Sequence, residues 1–349
     1  MPTFDILVVG SGGGPDELDL SAYLLKPTDA IWQDGIIGLE AGSGLGALNR
    51  ILRRNPYLLG SATHTAFELY SYVNCFLISH AHFDHISGLV LSAGSLGGGR
   101  KRVYALRDTL DNIASVFNDR LWPNLASFDE CDEQHKLHLC PIRTHHYTMI
   151  HESISVFPLR LSHGASSESP GIPILSTAFF VRHDPTRREI LFFGDVEPDA
   201  LSLNPMNRNV WRIAAPKIPH TLSAIFIECS WKSDRSDDTL YGHLTPRHLV
   251  NELVVLAREV WKVRTSQDFG TGVTIGSISM GTGPHTSPSL EELRGILNGL
   301  SIYIIHCKSD VTSDRPVRKI IEEEVKELIR DNGLGANVLA VEQGSILHV

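Results

Sequence analysis

LISHAHFDHISGL, residues 77–89, places His80, His82, Asp84 and His85 within six consecutive positions, directly after an apolar run. That run, Tyr72, Val73, Cys75, Phe76, Leu77 and Ile78, is aromatic and β-branched enough to form a buried strand. The histidines therefore stand at a strand's end. One histidine there would read as a half-buried polar side chain with a hydrogen-bond partner. Three around an aspartate are different, because crowded imidazoles that are partly protonated repel one another and need a compensating charge. A divalent metal ion supplies it, since neutral imidazole and carboxylate are standard zinc ligands.

A pair of metals needs more ligands than one loop can offer, and three other strand ends carry suitable side chains. His163 closes FPLRLSHG, Asp195 closes EILFFGD and His306 closes IYIIHCK. Each follows an apolar strand and sits where the chain leaves a sheet, the place where a rigid scaffold presents reactive groups.

Around these strand ends the chain alternates strands with helices. Ile6 to Val9 is the first strand, and Ile36 to Leu39 a second, followed by a helix from Leu45 to Leu52. The GSGGG that ends the first strand is not a dinucleotide fingerprint, because the sixth position of a GxGxxG starting at Gly10 is Pro15; a tight loop is expected. Residues 94–151 show the weakest periodicity, with a Gly-rich turn at Gly97 to Gly99, a helix from Arg107 to Phe117 and the isolated LWPNL at 121–125. From Ser153 the pattern is plainly β, and DPTRR between TAFFVRH and EILFFGD reads as a hairpin turn. Ile225 to Ile227 is a further buried strand. LTPRHLVNELVVLAREVWK is a helix with Pro246 in its first turn, and RPVRKIIEEEVKELIRDNG is an amphipathic helix stopped by Gly333. The expected architecture is α/β: two sheets packed as a sandwich with helices outside, in one domain spanning 1–349.

The bulk numbers narrow the function classes. The 349 residues are 42% hydrophobic and 20% charged, enough for a substantial core. With 40 acidic against 31 basic residues and a net charge of −9, nucleic acid is disfavoured as the main substrate. Cys75, Cys131, Cys140, Cys229 and Cys307 form no CxxC pair and read as reduced thiols of a cytoplasmic protein. The N-terminal stretch has no basic segment ahead of its short apolar run, so neither a signal nor a membrane anchor is expected.

HxHxDH followed by a His, an Asp and a final His at strand ends resembles the metallo-β-lactamase fold over nearly the whole chain. That resemblance implies an αββα sandwich of two mixed sheets with helices on the outer faces. It also implies that His80, His82 and His163 hold one zinc, that Asp84, His85 and His306 hold the other, and that Asp195 bridges them. GSGGGP, LISHAHFDHISGL, LWPNL, FFGDVEPD, and IFIECSWKS followed by LYGHLTP together narrow the resemblance to the class II cyclic-nucleotide phosphodiesterases of the fungal low-affinity type. Phe83 stands where that family commonly has Leu. The resemblance further implies a cyclic-nucleotide substrate, two Zn²⁺ ions, a homodimer, a family-specific insertion at about 94–151 and a role in ending cAMP signalling.

The chemistry agrees. Two metals about 3.5–4 Å apart polarise a phosphoryl oxygen and hold a hydroxide for in-line attack. The expelled ribose 3′ oxygen then needs a proton. His243, in the YGHLTP loop, is the expected donor, with Glu228 at the end of the IFIEC strand fixing its tautomer and keeping it protonated. Asp84 joins His243 and Glu228 in the expected catalytic set. His145, His146 and His151 in THHYTMIH read as a polar surface segment and EEEVKE at 322–327 as a solvated helix face, while Lys308 is either a phosphate contact or an ordinary surface lysine. Three other functions compete: a tRNA 3′ endonuclease, opposed by the net acidity; a glyoxalase II-type thioesterase, which has no need of a Glu228 and His243 pair; and a metal-stabilised scaffold with a decayed site, opposed by the complete ligand set.

Overall fold

The structure is a computed structural model and describes residues 2–95, 97–166, 171–268, 288–309 and 313–349. Its first half contains β1 (Phe4–Gly10), β2 (Ala22–Pro27), β3 (Ile36–Leu39), α1 (Leu45–Arg54), α2 (Ala66–Ser71), β4 (Val73–Leu77), α3 (Phe83–Ser92), β5 (Lys101–Ala105), α4 (Arg107–Val116), β6 (Ala126–Ser127) and β7 (Leu137–Pro141). Its second half contains β8 (Thr148–His151), β9 (Ile154–Ala165), β10 (Pro173–His183), β11 (Arg188–Phe193), α5 (Asn207–Ala214), β12 (Leu222–Glu228), α6 (Pro246–Asp268), β13 (Ser301–Ile305), α7 (Val317–Asp331), β14 (Asn337–Ala340) and β15 (Ile346–His348). One sheet has the order β15-β1-β2-β3-β4-β5-β7-β6, the other β14-β13-β12-β11-β10-β9-β8.

Both sheets are mixed and buried on two faces, which is why their strands read as continuous apolar runs rather than alternating ones. In β1, Ile6 and Val8 face the core between the sheets while Leu7 and Val9 face α1 to α4. In β12, Ala224 and Phe226 point between the sheets, and Ile225 and Ile227 point to the layer of α5, α6 and α7. Phe179, Phe192 and Phe226 meet Tyr23 and Leu77 in the middle layer. Each such side chain, fully removed from water, contributes roughly 1.5–3 kcal/mol.

The DPTRR turn closes the antiparallel β10–β11 hairpin with His183 opposite Arg188, and α6 begins at Pro246, as expected. The weakly periodic stretch is built into both sheets: β5 lies parallel to β4, and β8 forms the edge beside β9. THHYTMIH is thus partly an edge strand, with Tyr147 donating to Glu189 at 2.7 Å and lying under the Arg182 guanidinium at 3.7 Å. His145 and His146 are exposed, and no metal-type cluster among the described residues includes them or His151. The solvated face of α7 holds for Glu323 and Glu327 but not for Glu322, which is buried and paired with Lys319 and Lys326.

Topology fixes where the site must be. β11, β12 and β13 are parallel neighbours, so their C-terminal ends open at one edge and set Asp195, Glu228 and His306 side by side. His163 reaches the same edge near the end of β9, and the other sheet delivers its histidines where β4 passes into α3.

Candidate metal centre

Two groups of side chains converge at this edge, each with its potential ligand atoms within 4.8 Å of one another: His80, His82, His163 and Asp195 in one, Asp84, His85, Asp195 and His306 in the other. Asp195 belongs to both. Its Oδ1 lies 3.3 Å from His85 Nε2, and its Oδ2 lies 3.3 Å from His306 Nε2, 3.6 Å from His163 Nε2 and 3.7 Å from His80 Nε2. His306 Nε2 is also 3.2 Å from Asp84 Oδ2.

The tautomers follow from what holds the far side of each ring. His163 Nδ1 faces the Gly242 carbonyl at 2.8 Å, so Nδ1 carries the proton and Nε2 presents a lone pair. Ser230 Oγ donates its single hydrogen to Glu228 Oε2 at 2.6 Å and therefore accepts from His306 Nδ1 at 3.1 Å. His80 Nδ1 is held by Ser79 Oγ at 2.9 Å, and His85 Nδ1 faces Glu40 Oε2 at 3.4 Å. Each ring thus turns Nε2 inward. His85 Nε2 and His306 Nε2 stand 3.1 Å apart, and the buried Nε2 of His80 has no hydrogen-bond partner. A buried nitrogen left so is expensive, and a divalent cation satisfies all of these atoms at once. The donor set, imidazole and carboxylate, fits such an ion.

Electrostatics holds two of the rings neutral, whereas Asp195 and Glu40 outweigh burial at His85 and hold it well above its ordinary value, so that a cation binding there would displace a proton. Burial, reinforced by the neighbouring His85, holds His80 well below the ordinary imidazole range, and burial pulls His163 down to about 4. Burial alone would raise Asp195, but the His306 and His85 rings hold it well below the usual carboxylate range. Asp84, in the first turn of α3, is lowered too, despite burial, by the His306 and His85 rings beside it.

A third group of the same kind, His163, Asp195, Glu228 and His243, overlaps these two; in it His243 is buried, its Nδ1 2.8 Å from Glu228 Oε1. Glu228 is fully buried and accepts four hydrogen bonds in all, the others from the backbone N–H groups of Val196 and Leu244 and from Ser230 Oγ. Burial lowers the proton affinity of His243, yet the charge and hydrogen bond of Glu228 outweigh it and the imidazole is held above its ordinary value.

Sequence reasoning missed the residues that aim the ligands. Glu40, directly after β3, accepts the Ser79 N–H at 3.1 Å while facing His85; a carboxylate closing an apolar strand was the signal available. Glu40 and His306 adopt φ of 57° and 59°, left-handed values that cost a non-glycine residue about 1–3 kcal/mol. Lys308 Nζ donates to the Gly13 carbonyl at 2.8 Å and pins the glycine loop to the end of β13. The loop's glycines serve close approach: a Cβ on Gly13 would lie 2.4 Å from His306 Cε1. Gly13→Ala is therefore expected to push the His306 ring off its position and weaken metal binding at the Asp84, His85 and His306 group roughly 10- to 100-fold. Titration in zinc-buffered solution checks this, and an unchanged affinity would show that the ring has room to give.

Residues 51–344 match the family described as cAMP phosphodiesterases class-II. The chain belongs to that family. A 3′,5′-cyclic-nucleotide phosphodiesterase of Schizosaccharomyces pombe is 33% identical over 273 residues, covering 73% of this chain and 75% of the relative. Among solved structures, unliganded yeast PDE1 superposes with a TM-score of 0.81 at 23% identity, covering 100% of both chains. The metallo-β-lactamase fold protein YhfI from Bacillus subtilis gives a TM-score of 0.56 at 12% identity, covering 99% of both chains. This phosphodiesterase thus has the metallo-β-lactamase fold that its motifs imply. Among its described residues no helix is long and apolar enough to cross a membrane.

Proposed function

We propose that this class-II phosphodiesterase hydrolyses cAMP to 5′-AMP in the cytoplasm, ending the cyclic-nucleotide signal, with two divalent ions, most simply Zn²⁺. One ion would be held by His80, His82 and His163, the other by Asp84, His85 and His306, with Asp195 shared. When bound, the ions would supply Lewis-acid polarisation of the phosphoryl group and an activated water. The observation that carries the reading is the meeting, at one sheet edge, of four inward-facing imidazoles around Asp195 with a separate His243–Glu228 pair.

The protein's own side chains supply the rest. A water oxygen adds to phosphorus, the P–O3′ bond breaks, and the departing oxygen takes a proton. His243 carries that proton on Nε2, because Nδ1 is committed to Glu228. Glu228 stays ionised because four hydrogen bonds compensate its burial, so the imidazolium is favoured before the reaction and the tautomer is fixed after it. A thioesterase, whose thiolate leaves without a proton, has no use for this arrangement.

The test is product analysis after incubating the metal-quantified protein with cAMP, with and without a chelator. Chelator-sensitive formation of 5′-AMP and no 3′-AMP is expected. Survival of cAMP with metals bound would overturn the substrate, and turnover indifferent to chelation would overturn the metal dependence.

A further inference from the structure

A cavity of about 570 Å³ opens directly beside the candidate metal centre, within the ~300–1,000 Å³ range of small-molecule sites. Its lining includes His80 and His82 together with the apolar Phe83, Leu121 and Ile174 and the polar Asn112 and Arg160. Phe83 follows the candidate ligand His82 in the chain and is 65% exposed, and Leu121 is 68% exposed. Two large apolar side chains left in water on the wall of one cavity, continuous with a charged reaction centre, are placed for a flat apolar group attached to a phosphate.

The exposed face of α4 also lines the cavity, with Asp108, Asn112 and Ser115 following one another at i, i+4 and i+7. Two of the three are spent inside the protein. Asp108 Oδ2 accepts from Arg160 at 2.8 Å, and Ser115 Oγ donates to the Asn112 carbonyl oxygen at 2.6 Å. The Asn112 carboxamide is left with a donor and an acceptor side by side, facing solvent. That pair matches the N7 acceptor and N6–H₂ donor on the edge of adenine, whereas guanine presents two acceptors, O6 and N7, on the same edge.

The geometry points to this cavity as the purine subsite, with Phe83 stacking on the base and Asn112 reading its N6/N7 edge, so that adenine is preferred to guanine. The assignment rests on the cyclic-nucleotide reading above and adds its specificity. Phe83 and Asn112 are binding residues here, since neither touches the reacting phosphate. Stacking on an aromatic face and a base-edge hydrogen bond are each worth about a tenfold change in kcat/KM.

The experiment compares cAMP, cGMP and 7-deaza-cAMP, which lacks the N7 acceptor, on the metal-loaded wild type and on Asn112→Ala, with bis(4-nitrophenyl) phosphate as a purine-free phosphodiester. Wild type is expected to use 7-deaza-cAMP about tenfold less well than cAMP, and Asn112→Ala to treat the two alike and to lose its preference over cGMP. Phe83→Ser is expected to raise KM for cAMP about tenfold. Equal use of cAMP and 7-deaza-cAMP by wild type, or discrimination that survives in Asn112→Ala, would overturn the subsite. Cleavage of bis(4-nitrophenyl) phosphate with no cyclic nucleotide cleaved would instead overturn the function on which it rests, and the subsite with it.

Discussion

Asp195→Ala is expected to lose both metals and cyclic-nucleotide turnover together. Among the described residues the carboxylate is the one anion that lies within 3.7 Å of His80, His85, His163 and His306, and it belongs to both ligand groups. Removing it leaves those imidazoles around a hole, with Asp84 as the sole remaining carboxylate of the two groups. A ligand shared by two ions should carry several kcal/mol of the stabilisation of the transition state, so the expected fall in turnover is ~1,000-fold or more. Elemental analysis of the purified variant measures the metal directly. Asp195→Asn separates charge from shape: the amide keeps the volume but offers one neutral oxygen, so one ion retained per chain is its expected content. Two ions retained in Asp195→Ala would show that the carboxylate is not shared.

Much of this centre is legible in the chain because each ligand ends an apolar strand. LISHAHFDH, LSHG, FFGD and IIHC share that form, and parallel pairing of β11 to β13 brings the ends together without any further instruction. What is not legible is long-range aim. Ser230 orients His306 across 76 residues and the Gly242 carbonyl orients His163 across 79, and neither a serine nor a backbone carbonyl announces such a partner. The strands of residues 94–151 hide for a related reason. In β5, KRVYA, Lys101 is buried, its ammonium satisfied by the Ser71 carbonyl at 2.6 Å, so a core strand is spelled with a charged residue. Glu322 of α7 is the same case on a helix, a carboxylate whose burial is compensated by lysines on either side.

His243→Ala is expected to keep both metals and lose turnover of cAMP by ~100- to 10,000-fold, the range for a positioned acid. The metals are expected to stay because His80, His82, His163, Asp84, His85, His306 and Asp195 complete two groups without it, and in the third group the His243 Nδ1 is taken by Glu228. The loss should depend on the leaving group. The ribose 3′ oxygen departs as a strongly basic alkoxide and needs the proton, whereas 4-nitrophenolate is weakly basic and leaves as the anion. The variant should therefore lose far less on bis(4-nitrophenyl) phosphate than on cAMP, a split that no general structural damage would produce. Glu228→Gln tests the other half of the pair. It preserves an acceptor for Nδ1 but removes the charge that, against burial, holds His243 above its ordinary proton affinity. Its activity on cAMP should fall in the same direction as that of His243→Ala, again with the smaller loss on the nitrophenyl ester. Equal losses on both substrates in His243→Ala would assign the ring to positioning His163 and His306, whose rings lie 4.8 and 5.3 Å from it, rather than to proton transfer.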